Sequence, residues 1–225
     1  MENLKDKTNR AYICGEIESD PKFSHEERGE KFYEMTVKVP RLSGQTDNIP
    51  VTISERLVNP DTLRGGGSIC AVGQFRSYNK IIDGKARLFL TFFVRELLDE
   101  PTSKNPNQIV LAGYICKPPV YRITLLNREI ADLLIAVNRS YNKSDYIPAI
   151  AWGRNANFVD KLEVGDRIVI SGRIQSREYQ KVINNGIENR TAYEVSISSL
   201  YAVDSEAEMN EAVEEFLNRQ TGGLN

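Results

Sequence analysis

Tyr141, Tyr146, Trp152 and Tyr179 are four aromatic residues in one short stretch of chain, and Arg139, Lys143, Arg154, Arg173 and Arg177 are interleaved with them. Flat π-surfaces stack on nucleobases, and guanidinium or ammonium groups neutralise phosphates. This pairing of residue types is what a groove for a single nucleic-acid strand requires. Any one of these aromatics is equally well explained by packing on a half-buried pleated sheet. Four of them interleaved with five cations favour binding. Arg122 and Lys181 are weaker candidates of the same kind, because isolated surface cations are usually just solvated.

Other chemistries are poorly provided for. His25 is the only histidine and lies in the charged stretch Ser-His-Glu-Glu-Arg-Gly-Glu. It supports neither a two-histidine metal site nor histidine-based catalysis. There is no phosphate-cradling glycine loop and no nucleophile–base signature. Cys14, Cys70 and Cys116 are an odd number without a CxxC pair, which fits a reducing cytosol and no zinc ribbon. The N-terminus is polar, and no run approaches the roughly 18 apolar residues of a membrane span. The expectation is a cytoplasmic protein that is not an enzyme and uses no metal or cofactor.

The elements that must position these residues come in two copies. Asn9-Arg-Ala-Tyr-Ile-Cys-Gly15 lies over Asn107-Gln-Ile-Val-Leu-Ala-Gly113 at an offset of 98, which also pairs Pro21 with Pro119, Val39 with Val137 and Pro50 with Pro148. Gly73-Gln-Phe-Arg-Ser77 lies over Gly172-Arg-Ile-Gln-Ser176 at an offset of 99, and the turns Asp83-Gly84 and Asn185-Gly186 follow at 102. An offset that drifts so little marks a duplicated unit with small loop insertions.

Each copy reads as five strands rich in Val, Ile and Tyr. The second copy predicts strands over Gln108–Ile115, Ile130–Asn138, Tyr146–Trp152, Arg167–Arg177 and Ala192–Tyr201. The first predicts Arg10–Ile17, Phe32–Val39, Ile49–Ser54, Ser68–Ser77 and Arg87–Arg95. Arg154–Leu162 has helical spacing, with Ala156 and Val159 inward and Phe158 and Leu162 as further inward candidates. The corresponding helix of the first copy is broken by Asn59-Pro60. Three strands, a helix and a final hairpin are the order of an OB-fold, a small Greek-key barrel, although periodicity alone leaves other small barrels open. The fold class is therefore all-β: two tandem OB-folds at 1–96 and 107–203, a polar linker at 97–106, and a tail at 204–225. Within Tyr146–Trp152, period two sets Tyr146, Pro148, Ile150 and Trp152 on the outer face and Ile147, Ala149 and Ala151 inside.

Gly113 in its Asn-x-x-x-Leu-x-Gly setting, Ala136-Val-Asn-Arg-Ser-Tyr141, Asp145-Tyr-Ile-Pro-Ala-Ile-Ala-Trp-Gly-Arg154 and Gly165-Asp-Arg-Ile-Val-Ile-Ser-Gly-Arg-Ile-Gln-Ser-Arg-Glu-Tyr179 carry a family likeness. Residues 107–201 resemble the bacterial single-stranded DNA-binding proteins, and the first copy resembles them more weakly. The resemblance implies that Tyr141, Tyr146, Trp152 and Tyr179 stack on bases. It also implies four OB-folds per assembly, hence a homodimer of this two-barrel chain. The function expected is sequence-independent coating of single-stranded DNA in replication, recombination or repair. The alternatives are a protein-interaction or replication-restart accessory module, and a single-stranded RNA binder.

At the 98-residue offset, Tyr141, Tyr146 and Trp152 correspond to Ser43, Asn48 and Ser54. The first copy keeps Tyr78 near the equivalent of Tyr179, with Arg76 beside it. Tyr78 and Arg76 are its candidate DNA-binding residues, and the first copy is expected to serve assembly more than affinity. In the tail, Ser205-Glu-Ala-Glu208 forms a capping box ahead of Met209, Ala212, Val213, Phe216 and Leu217 on one helical face, and Gly222-Gly223 ends the helix. The ending Thr-Gly-Gly-Leu-Asn lacks the acidic, apolar-ended tip through which relatives recruit partner enzymes. The formal charge of −2 conceals these parts: residues 107–203 carry 12 basic and 9 acidic side chains, whereas 204–225 carry 1 and 6. A modestly basic domain stands beside an acidic tail.

Overall fold

The computed structural model describes residues 7–82, 84–140, 143–183 and 186–221. Twelve strands form one continuous sheet. The first half contributes β1 (Asn9–Ile17), β2 (Lys22–Glu27), β3 (Glu30–Pro40), β4 (Thr46–Ser54), β5 (Ser68–Ile82) and β6 (Lys85–Leu98). The second contributes β7 (Asn107–Ile115), β8 (Val120–Ile123), β9 (Glu129–Asn138), β10 (Ser144–Trp152), β11 (Arg167–Ile183) and β12 (Gly186–Val203). Among the described residues the helical elements include α1 (Arg154–Val159), α2 (Glu206–Thr221) and a single 3-10 turn at Pro60–Thr62. No helix among the described residues is long and apolar enough to cross a membrane.

All ten predicted strands are present, and each half adds a short one, β2 and β8, that pairs with the strand after it. Both are mostly exposed; β2 is polar and β8 is only four residues long, so neither shows the sustained apolar alternation by which strands are recognised. Each half closes by the antiparallel pairs β1–β3 and β7–β9 and by the parallel pairs β4–β6 and β10–β12. Closure buries the inward residues of the longer strands, among them Val37, Ile49, Phe75 and Phe92 in the first half and Ile135, Ile147, Ile168 and Val195 in the second.

Closure also requires close backbone approach. A Cβ on Gly73 would lie 2.3 Å from the Phe93 carbonyl oxygen, and one on Gly172 would lie 2.1 Å from that of Ser196. Both glycines sit at register shifts in their hairpins, where a bulge bends the long strand across the barrel mouth. Sequence alignment of the copies paired these residues; the bulge explains why neither can carry a side chain.

The halves join through β1 and β7, antiparallel, with Asn9 opposite Leu111, Ala11 opposite Ile109 and Ile13 opposite Asn107. With the 98-residue offset, this register is its own mirror: an approximate twofold axis passes between Ala11 and Ile109. The Asp83-Gly84 and Asn185-Gly186 hairpins pair out to Ile82 opposite Lys85 and Ile183 opposite Gly186; Asp83 and Asn185 themselves lie outside the described residues.

Three local expectations need correction. The predicted helix at Arg154–Leu162 stops at Val159, and Phe158 is exposed because only Ala156 and Val159 of α1 face the core. Cys14 and Cys70 face one another across β1 and β5 and are joined in a disulfide. The pair removes the argument from cysteine usage to a reducing cytosol; its separation of 56 residues gave no sign of it, because strand register alone brings the two together. Ile150, assigned to the outer row of β10, is buried, with Asp132 on one flank and Ser196 on the other.

Helix α2 docks on its own chain. Met209, Ala212, Val213 and Phe216 pack on Val110, Ala112 and Val169, the outward residues of β7 and β11, and Phe216 stacks on Tyr201 at 5.0 Å. Half of the expected capping box forms: the Glu208 N–H donates to Ser205 Oγ, but Glu208 Oε2 accepts from the Asp204 N–H, one residue before the cap, rather than from Ser205. Gly222 and Gly223 lie outside the described residues. Substituting Gly172→Ala is expected to lower stability by about 1–3 kcal/mol, since the Ser196 backbone must move. Urea unfolding followed by circular dichroism measures it.

Candidate nucleic-acid interface

The joint between the halves sets the position of every candidate residue. Asp47 is fully buried at the start of β4, and Oδ1 accepts the Ser176 N–H of the second half at 2.8 Å. Asp145 occupies the same place at the start of β10, and its Oδ1 accepts the Ser77 N–H of the first half at 2.7 Å. The hydroxyls repeat the pattern. Ser176 Oγ accepts from the Asn48 N–H, and Ser77 Oγ from the Tyr146 N–H. A buried carboxylate needs a cation or several donors. Arg41 supplies Asp47 with two hydrogen bonds, at 2.7 and 2.6 Å, whereas Arg139 reaches Asp145 only as an ion pair at 3.2 Å. Burial accordingly pushes the Asp145 carboxyl above the ordinary range, against the Ser77 N–H and the charges of Arg139 and Arg76.

The candidate residues then fall into place on one outward surface. On β10, Tyr146 and Trp152 are 42% and 39% exposed, with half-buried Pro148 between them. Ile150 of this row stands opposite Ser196 of β12, which in turn faces Arg173 of β11, so Arg173, Gln175, Arg177 and Tyr179 continue the same surface. Tyr179 is 38% exposed. Tyr141 lies outside the described residues. Trp152 borders a recess of 420 Å³ with Ile123, Asn127 and Arg128. Arg154, at the first position of α1, is exposed nearby.

The cations divide by what already holds them. Arg139 is bound to Asp145. Arg173 is half-buried, donates to Ser196 Oγ and Gln175 Oε1, and has its pKa lowered by burial and by the neighbouring Arg41. Arg122 pairs with Asp132 at 2.9 Å, and Arg177 with Glu194 at 3.3 Å. Lys143 and Lys181 are exposed, Lys143 in a recess with Arg139 and Glu206. Arg76 donates to Gln74 and lies 3.8 Å over the Phe93 ring.

Sequence reading passed over part of the first half's surface. On β6, Phe89 and Phe93 share the outward face with Thr91, while Leu90, Phe92 and Val94 fill the core. The alternation is visible in Leu-Phe-Leu-Thr-Phe-Phe-Val, although a run this apolar reads first as core. Tyr78, 40% exposed, stacks on Phe89 at 5.6 Å. Burial and the Glu34 carboxylate push its phenol up, so the ring stays neutral near pH 7. Tyr78 and Tyr179 line a single cleft of 680 Å³ between the halves, with Pro50 and Pro148 also in its lining. No cluster of metal-ligating side chains occurs among the described residues.

A profile of the Single-strand binding protein family matches residues 106–203. Single-stranded DNA-binding protein B of Bacillus subtilis is 33% identical over 81 residues, which cover 33% of this chain and 72% of that protein. Single-stranded DNA-binding protein 1 of Clostridium acetobutylicum is 34% identical over 87 residues, covering 35% of this chain and 79% of that protein. For Single-stranded DNA-binding protein 1 of Staphylococcus aureus, 33% identical, the chain spans only 48% of the relative's length. The wild-type single-stranded DNA binding protein from Thermus aquaticus superposes with a TM-score of 0.67 at 18% identity, over 88% of this chain and 93% of that one. This last likeness is one of fold.

The raised Asp145 pKa predicts a pH effect. The folded state holds this proton more tightly than the unfolded chain, so stability is greatest below the unfolded pKa and falls as pH rises through the raised folded value. In urea unfolding from about pH 4 to about pH 7, wild type should lose stability relative to Asp145→Asn.

Proposed function

Because the chain belongs to the single-strand binding protein family, we propose that it binds single-stranded DNA with little sequence preference, in replication, recombination or repair. Bases stack on Tyr146, Trp152 and Tyr179, with Tyr141 as a further candidate, and basic side chains neutralise the phosphates. One observation carries this reading: Tyr146 and Trp152 stand exposed on the same outward row of β10, on a strand whose other row is core. A packing role would have buried them.

Within this reading the cations have different parts. Lys143, Lys181 and Arg154 are exposed and reach phosphates directly. Arg122 does so by exchanging a surface carboxylate for a phosphate, at little net cost for such an exposed pair, whereas Arg177 is held by the buried carboxylate of Glu194. Arg139 and Arg173 act mainly by holding the carboxylates of the joint. The protein is a binder and performs no catalytic step, and its compartment is the cytoplasm. The units are a barrel at 1–96, a linker at 97–106, a barrel at 107–203 and an acidic tail at 204–225. Two chains, giving four barrels, form the assembly. Because α2 already fills the outer face of β7 and β11, the contact between chains lies elsewhere on the sheet.

Fluorescence anisotropy with labelled oligo(dT) tests the proposal. Tyr146→Ala and Trp152→Ala should each weaken binding by about 1–3 kcal/mol, as loss of a stacked base does. Affinity should fall steeply with salt through lost counterion release. Variants that bind like wild type would sink the assignment of this face. Stronger binding of a matched RNA oligomer would move the substrate from DNA to RNA.

A further inference from the structure

The sheet order runs from β2 at one end to β8 at the other, so among the described residues each half leaves one edge strand without a further neighbour. Such edges present unpaired backbone groups and are normally blunted by charge. β2 is treated in that way. It ends in His25-Glu26-Glu27 and turns back through Arg28 and Gly29, both at positive φ. β8 is not. On its hairpin with β9, Val120 and Ile123 are more than half exposed, Leu126 is 77% exposed and Leu125 is fully exposed. Leu125 and Leu126 form the tip, where the first copy has Glu27 and Arg28 at the 98-residue offset. Turn positions usually go to Gly, Asn, Asp or Ser. Two leucines answer no demand of this turn, whose positive φ falls on Asn127.

The backbone adds a second feature. The Thr124 N–H donates to the Arg128 carbonyl at 2.9 Å. Antiparallel residues alternate between bonded and non-bonded pairs, so Val120 and Arg122 bond to β9 while Tyr121 and Ile123 turn their N–H and C=O groups outward. Arg122, the strand's one cation, is already paired with Asp132, so a second copy of β8 meets no bare charge on it. The outer face of the sheet is less available. Helix α2 covers it at β7 and β11, and over the corresponding face of the first half the linker's Thr102 N–H donates to the Tyr12 phenol. We propose that β8 and the leucine tip bind a second copy of this chain, edge to edge about a twofold axis. The inference rests on the two-chain reading above and gives that contact its place. A twofold contact needs only one patch, which meets itself and closes. Aliphatic side chains offer no flat face to a base, so the tip suits a protein partner better than a strand of DNA.

Sedimentation equilibrium of the full chain over a range of concentrations tests it. Wild type should reach twice the chain mass. The double substitution Leu125→Glu with Leu126→Glu puts charge on the exposed tip. Ile123→Pro removes an outward N–H and leaves the β8–β9 ladder its bonds. Each should raise the dimer dissociation constant by about 10- to 100-fold, whereas Leu125→Met with Leu126→Met should leave it within about threefold. Circular dichroism confirms that each variant is folded, and Leu125→Ser with Leu126→Ser replaces the charged pair if that one is not. Dimers of wild-type strength in both the tip variant and Ile123→Pro would overturn the inference and leave the two-chain reading standing. Tip variants that stay dimeric but bind oligo(dT) more weakly would assign the tip to DNA and overturn it too. Wild type that is monomeric at every concentration would overturn the two-chain reading itself, and the inference with it.

Discussion

Two buried aspartates hold this molecule in its working shape. Asp47 and Asp145 each leave their own barrel to accept a backbone N–H from the other, at Ser176 and Ser77. A charge-assisted bond of this kind contributes roughly 1.5–3 kcal/mol, and an orphaned buried charge costs more than the bond gains. The halves therefore cannot shift relative to one another without leaving a carboxylate unpaired in the core. The β1–β7 pairing joins the sheets, while the aspartates fix the angle of the hairpins. Tyr78 and Tyr179 follow Ser77 and Ser176 within three residues, so the clasp that locks the joint also aims these rings.

The approximate twofold symmetry separates scaffold from surface. Asn9 and Asn107 make the same pair of bonds, to the backbone of Phe75 and of Ile174. The clasp aspartates, their serines, and the glycines of the bulges are likewise kept in both copies. Differences include the outward rows, where Tyr146 and Trp152 take the places that Asn48 and Ser54 hold in the other copy. Duplication preserved what closure and joining demand and left the exposed faces free to diverge. Helix α2 breaks the symmetry further, since it covers Val110, Ala112 and Val169 while their counterparts in the first half include the Cys14–Cys70 pair.

Much of this was legible before any coordinates. Offsets of 98 and 99 residues between matching glycines, prolines and strand patterns exposed the duplication, and period two on β10 separated Tyr146 and Trp152 from Ile147 and Ala149. The unread parts share one cause: they depend on which strands meet. Arg139 and Arg173 look like phosphate ligands in sequence because Asp145 and Asp47 become their neighbours only after folding. The Cys14–Cys70 bond arises from strand register. The cleft between the hairpins belongs to neither copy alone, so no reading of one repeat could contain it. Phe89 and Phe93 were hidden differently, since an apolar run conceals which of its residues face outward.

Trp152 is the only tryptophan and sits partly exposed on the proposed base-stacking face, so its own fluorescence reports on the central claim without any label or variant. Titration with oligo(dT) at low salt should quench it strongly and saturably, and added salt should reverse the quenching as phosphate contacts are lost. An emission spectrum unchanged by saturating oligo(dT) would contradict the account, because no base would then be stacked on Trp152.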